Sequence, residues 1–131
     1  MIKRIGHIML NVRDLEKMLK FYVETLEFVE GEQDGIYTFL KTNNDSHHDL
    51  AFCESEVSNS FEHLAFELES ISDLENYCTK LQDLSIEFER YDYGIGECIY
   101  FNDPEGNSLE LFVDLRSKRN VRKWDGKFER K

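Results

Sequence analysis

Apolar and polar residues alternate with a period of two over residues 4–12, where Ile8, Leu10 and Val12 stand against His7, Met9 and Asn11. That alternation predicts a strand. Asp14 is placed to cap a helix, and Leu15, Met18, Leu19, Tyr22 and Leu26 then recur at helical spacing, predicting a helix to about residue 26. Three short strands are predicted near 27–32, 35–41 and 48–53, separated by Asp34-Gly35 and by the polar stretch from Thr42 to Ser46. The order then repeats. Over 62–68, His63, Ala65 and Glu67 alternate with Leu64, Phe66 and Leu68. Ser72 is a candidate cap for a helix whose Leu74, Tyr77, Cys78 and Leu81 share a face. Strands near 85–91, 96–102 and 107–113 complete the second half, the last two joined by the turn Asn102-Asp103-Pro104-Glu105-Gly106-Asn107.

The chain therefore reads as an internal duplication of a βαβββ unit. Local matches support it: Asp14-Leu15-Glu16 is similar to Asp73-Leu74-Glu75, and Ile36-Tyr37 to Ile99-Tyr100. The expected division is a single domain over 1–131, with a first module at 1–57, a second at 58–114 and a basic tail at 115–131.

Composition narrows the class. With 131 residues, 40% hydrophobic and 33% charged, the chain can bury a core, and it has no apolar run of membrane-spanning length. The start Met1-Ile2-Lys3-Arg4 runs into a strand-like segment, so no secretory signal is expected. Cys53, Cys78 and Cys98 form no CxxC spacing, which fits a reducing cytoplasm. The net charge of −11 is unevenly spread: residues 116–131 carry eight Lys and Arg against Asp125 and Glu129, leaving −17 on the rest. An acidic body argues against nucleic acid as the main partner. The basic tail, with Trp124 and Phe128, can fold onto that body, meet a second subunit or cover a site, or be a solvated end.

The histidines carry the candidate chemistry. His7 and His63 open the two repeats in Gly6-His7-Ile8-Met9-Leu10 and Glu62-His63-Leu64-Ala65-Phe66, and Glu110 lies in the last strand of the second. Two imidazoles and a carboxylate delivered by a repeated unit suit a divalent metal with open coordination positions. His47-His48 forms a further pair between them.

Two tandem βαβββ units, together with Gly6-His7-Ile8, Asn11-Val12-Arg13-Asp14-Leu15, Tyr100-Phe101-Asn102-Asp103-Pro104-Glu105-Gly106-Asn107 and Leu109-Glu110-Leu111, resemble the vicinal oxygen chelate superfamily over residues 4–114. It comprises glyoxalase I, extradiol dioxygenases, fosfomycin-resistance enzymes and bleomycin-binding proteins. The resemblance implies an α+β fold: a half-open, barrel-like sheet with helices outside and a metal held by His7, His63 and Glu110. Fe(II) is the implied metal, with Mn(II), Zn(II) and Ni(II) as alternatives.

Ser46-His47-His48-Asp49-Leu50-Ala51-Phe52 is similar to the extradiol dioxygenase pattern. There the second histidine of the pair, the acid/base, precedes the second metal histidine by fifteen residues, and a tyrosine precedes the ligand glutamate by ten. His48 precedes His63 by fifteen, and Tyr100 precedes Glu110 by ten. The resemblance implies oxygenative cleavage of a catechol-type small molecule, with His48 and Tyr100 in those roles, in a cytoplasmic homodimer. One departure is the loop before the Tyr100 strand, where Tyr93 and Glu97 replace histidines that many ring-cleaving members carry.

A glyoxalase-type isomerase or lyase would need an acid where Leu50 stands, unless Asp49 serves. A fosfomycin-type thiol transferase shares the triad, the Glu97-Cys98-Ile99-Tyr100-Phe101 stretch and a basic tail, but does not need His47-His48. A non-catalytic, bleomycin resistance-like binder normally lacks the triad.

Overall fold

A computed structural model describes residues 1–25, 27–56, 60–102 and 108–131. The predicted turn across 103–107, Leu26 and the boundary between the two modules lie outside the described residues. In chain order the elements are β1 (Ile2–Val12), α1 (Leu15–Lys20) continued by a π-helical turn (Phe21–Thr25), β2 (Val29–Asp34), β3 (Tyr37–Lys41), β4 (Leu50–Glu54), β5 (Ser60–Leu68), α2 (Ile71–Asp83), β6 (Glu89–Asp92), β7 (Gly96–Asn102), β8 (Ser108–Asp114), α3 (Arg116–Arg119) and β9 (Glu129–Arg130). This is the expected α+β composition, with βαβββ occurring twice. The described chain divides into two compact units, one of Gly6–Leu64 and one of Met1–Ile5 with Ala65–Lys131.

In the Gly6–Leu64 unit the strands follow the order β2-β3-β4-β1. β1 and β4 run parallel with Ile8 opposite Leu50 and Leu10 opposite Phe52, while β3 is antiparallel to both its neighbours. Alternation sends Val12, Leu40, Leu50 and Phe52 to one face, where Leu15, Met18, Leu19, Tyr22 and Val23 of the helix cover them. His7, Met9 and Phe39 are buried on the opposite alternation. Asp14 caps α1 as expected, its Oδ1 accepting the Lys17 N–H at 3.1 Å.

The predicted regular helix to residue 26 gives way to the π turn, in which the Phe28 N–H reaches the Tyr22 carbonyl at 2.9 Å. The wider turn keeps Tyr22 edge-on to both Phe28 and Phe52, at ring separations of 5.6 and 5.2 Å. Glu27 then takes a left-handed φ of 63°, which delays β2 to Val29.

β2 carries a bulge. Glu30 pairs with Leu40 but Gln33 pairs with Thr38, so Gly31 and Glu32 together stand opposite Phe39. A side chain at Gly31 would sit 3.2 Å from the Phe39 carbonyl oxygen, which favours glycine there.

In the other unit the strand order is β5-β8-β7-β6-β9. α2 lays Leu74, Cys78 and Leu81 on Leu68, Ile99, Leu111, Val113 and Leu115. Its cap is Ser70 rather than the expected Ser72: Ser70 Oγ accepts the Asp73 N–H at 3.1 Å and donates to the Asp73 carboxylate. α2 ends by a left-handed Ser85, with the Ile86 N–H returning to the Leu81 carbonyl. This closure occupies residues expected to begin the next strand, so β6 starts only at Glu89.

The tail folds onto the acidic body. Arg119 pairs with Asp92 at 2.8 Å and Glu97 at 3.1 Å, Lys131 reaches Glu97 at 3.1 Å, and β9 adds to β6. Phe128 stacks on Tyr91 with ring centroids 4.3 Å apart. Burial opposes ionisation of Glu97, yet hydrogen bonds from Arg90 and Lys131 hold its carboxyl below the ordinary value. The hydrogen bond from Arg119 holds Asp92 down to about 2. Among the described residues, no helix is long and apolar enough to cross a membrane.

Two outcomes follow from this packing. Phe52→Ala, at a fully buried site, costs about 3–5 kcal/mol of stability, read from the denaturant midpoint. Because the folded pKa of Asp92 is depressed, its contribution is present above the unfolded carboxylate pKa and is lost as pH falls toward about 2. Arg119→Ala is therefore destabilised relative to wild type at neutral pH, and the gap closes between about pH 4 and pH 2 in pH-dependent unfolding curves.

Candidate active site

His7 leaves the buried side of β1, and His63 occupies the corresponding alternation in β5; both are nearly inaccessible, at 6% and 3%. Their Nε2 atoms face each other at 2.9 Å. Two nitrogen ligands about 2.1 Å from one cation and at right angles to each other lie about 3 Å apart, so this spacing suits two adjacent positions on a single metal. His63 Nδ1 bonds the Glu62 carboxylate, which fixes the ring with Nε2 as the ligating atom. Among the described residues, the buried donors suited to a metal are His7, His63 and Glu110, each offering one ligand atom. Two imidazoles and a carboxylate are the donor set of an open facial site.

His48 immediately precedes the turn residue Asp49, whose carbonyl accepts the Ile8 N–H at 3.2 Å and so ties the entry of β4 to β1. This brings the His48 ring within 4.2 Å of the His7 ring, centroid to centroid, and within 4.6 Å of Phe39. His47 joins the same group: its Nδ1 lies 2.8 Å from His48 Nδ1, and its Nε2 lies 2.9 Å from Glu32 Oε1. All four histidines are thus gathered in the Gly6–Leu64 unit. Glu32 is the participant that the sequence reading missed. The available signal was Gly31 inside a predicted strand, which marks a bulge that re-aims its neighbour.

In the second unit, Tyr100 of β7 stands directly opposite Glu110 of β8. Both lie on the alternation that carries Cys98 and Phe112, away from the Leu111 and Val113 covered by α2. Glu110 is 3% exposed. Tyr91 meets Tyr100 edge-on at 5.9 Å, with Phe128 of the tail at 6.5 Å. Burial, and next the Glu110 charge, push the Tyr93 phenol well above its ordinary range, so Tyr93 is a neutral O–H donor. Burial and the same carboxylate push the Cys98 thiol up as well, which leaves it a packed, un-ionised group. Glu97, expected with Tyr93 to replace loop histidines, instead serves the ionic contacts of Arg90, Arg119 and Lys131.

The profile of the Glyoxalase/Bleomycin resistance protein/Dioxygenase superfamily matches residues 4–111. The chain belongs to that superfamily. The matched stretch includes all four histidines, Tyr100 and Glu110. Among superfamily relatives, the chain is 31% identical over 119 residues to metapyrocatechase of Pseudomonas sp. (strain CF600), covering 83% of this chain and 38% of that protein. It is also 31% identical over 121 residues to metallothiol transferase FosB of Staphylococcus epidermidis, covering 85% of this chain and 84% of that protein. In structure it is similar to an extradiol ring-cleaving dioxygenase from B. fuscum, with a TM-score of 0.79 and 27% identity over 86% of this chain and 33% of that one. The chain therefore spans 38% of metapyrocatechase, 33% of the ring-cleaving dioxygenase and most of the transferase.

Gly96 leaves room for Tyr93. A Cβ there would lie 2.4 Å from the Val113 carbonyl oxygen and 2.7 Å from the Tyr93 hydroxyl. Gly96→Ala is expected to lower stability by roughly 1–3 kcal/mol. Adding Tyr93→Ala does not restore it, because the carbonyl clash is with backbone; thermal unfolding of the single and double variants checks both outcomes.

Proposed function

We propose that the chain is a metal-dependent enzyme of extradiol dioxygenase type, with His7, His63 and Glu110 holding Fe(II) and a catechol-type small molecule as substrate. The observation that carries this reading is the position of His48, its ring 4.2 Å from that of His7 and braced by Phe39. A thiol transferase or a passive binder does not require an imidazole base beside the ligand pair.

When bound, the metal supplies Lewis acidity and open positions for substrate and dioxygen. The protein's own groups supply the rest. Glu62 keeps His63 in the orientation that presents Nε2. His48 takes the proton of a catechol hydroxyl and later returns it, a role that an imidazole can fill. Tyr100 donates a hydrogen bond to a substrate oxygen from its place opposite Glu110. Tyr93, kept neutral by burial, takes the place of the histidine donor that many ring-cleaving members carry in this loop.

The positions that would supply the fourth acid of an isomerase are Leu50 and Asp49. Leu50 packs in the apolar cluster with Leu40 and Phe52, and the Asp49 carboxylate accepts hydrogen bonds from Thr42 and Asn44 within the turn. A thiol transferase is the second reading. It is favoured by one fact, that the chain spans 84% of the metallothiol transferase but 38% of metapyrocatechase.

The test is anaerobic loading with Fe(II), followed by a panel of catechols in air. A yellow ring-opened product is expected, and His48→Ala lowers kcat by about 10²–10⁴-fold while metal content stays unchanged. No turnover with iron, together with thiol addition to fosfomycin by the Mn(II) form, would establish the transferase instead.

A further inference from the structure

A carboxylate, two imidazoles and a third imidazole form a continuous line in the Gly6–Leu64 unit. Glu32 Oε1 lies 2.9 Å from His47 Nε2, His47 Nδ1 lies 2.8 Å from His48 Nδ1, and the His48 ring rests against His7. Phe39 touches both intermediate rings, at 5.3 Å from His47 and 4.6 Å from His48. The geometry is built into the strand: the bulge in β2 places Glu32 beside Gly31 opposite Phe39.

The donor and acceptor roles follow from the chemistry of the end group. An ionised carboxylate only accepts, so the hydrogen of a neutral His47 resides on Nε2. Its Nδ1 is then a bare lone pair. The facing Nδ1 of His48 must bring the hydrogen to that 2.8 Å contact. A neutral His48 therefore carries no hydrogen on Nε2.

We propose that Glu32 and His47 are positioning residues that fix His48 in its Nδ1–H tautomer, so that Nε2 is the basic atom. This gives His47 a role that the sequence alone did not. The order is one of successive orientation: Glu32 sets His47, and His47 sets His48. Free histidine favours the opposite tautomer, with hydrogen on Nε2, so the line of contacts opposes the intrinsic preference. The tautomer assignment concerns the metal-free protein; its consequence for turnover rests on the reading of His48 as the acid/base.

The test is two-bond ¹H–¹⁵N correlation spectroscopy of the metal-free, ¹⁵N-histidine-labelled full chain at neutral pH, with resonances assigned from His47→Phe and His48→Asn. Wild type is expected to show His47 as Nε2–H and His48 as Nδ1–H. Glu32→Leu moves His48 toward the Nε2–H form, whereas Glu32→Gln, whose amide oxygen still accepts, retains the wild-type tautomer. His48 found as Nε2–H in wild type would overturn the proposal, and so would an unchanged His48 pattern in folded Glu32→Leu. Should Glu32→Leu fail to fold, the wild-type spectrum decides alone. The expected tautomers in a protein that cleaves no catechol would remove the proposed activity and leave this assignment standing.

Discussion

The contact on which the site depends is the one between His7 Nε2 and His63 Nε2, 2.9 Å apart and closed off from solvent. Two N–H groups cannot point at one another across that distance, so one hydrogen serves both nitrogens. A divalent ion held as proposed would replace that hydrogen with a pair of coordinate bonds. Two neighbouring contacts suit that arrangement. Glu62 holds the far nitrogen of His63, and the parallel pairing of β1 with β4 carries His48 up to the His7 ring.

Each compact unit resolves a similar packing problem in its own way. One face of its strands is apolar and covered by a helix, α1 with its π turn in one case and α2 in the other. The opposite alternation is then available for polar groups: the buried His7 with the half-buried His48 in the first, the buried Glu110 with Tyr100 and the neutral Tyr93 in the second. The charge imbalance of the sequence is likewise settled locally. Arg119 and Lys131 bring the basic tail onto Asp92 and Glu97, and this places Phe128 against Tyr91.

Period and spacing made the element order legible, because alternating residues must separate onto two faces wherever one face is packed by a helix. The metal candidates were named from their place in the duplicated pattern, and His48 and Tyr100 from the resemblance of their spacing to extradiol dioxygenases. Local backbone choices were not. Ser70 rather than Ser72 caps α2, since its hydroxyl reaches the Asp73 N–H, and either serine satisfies the composition rule. The π turn and the left-handed Glu27 depend on how Tyr22 meets Phe28 and Phe52, contacts that a single helical period cannot register. The bulge that brings Glu32 to His47 is a one-residue shift in pairing, visible beforehand only as a glycine in a strand.

The proposed holding of one divalent ion by His7, His63 and Glu110 is tested by anaerobic titration of metal-free protein with Fe(II) and with Mn(II), followed by metal analysis after desalting. One ion per wild-type chain is expected, with loss of stoichiometric binding in His7→Ala, His63→Ala and Glu110→Ala while circular dichroism shows native folding. Stoichiometric retention in any of these three folded variants would contradict it.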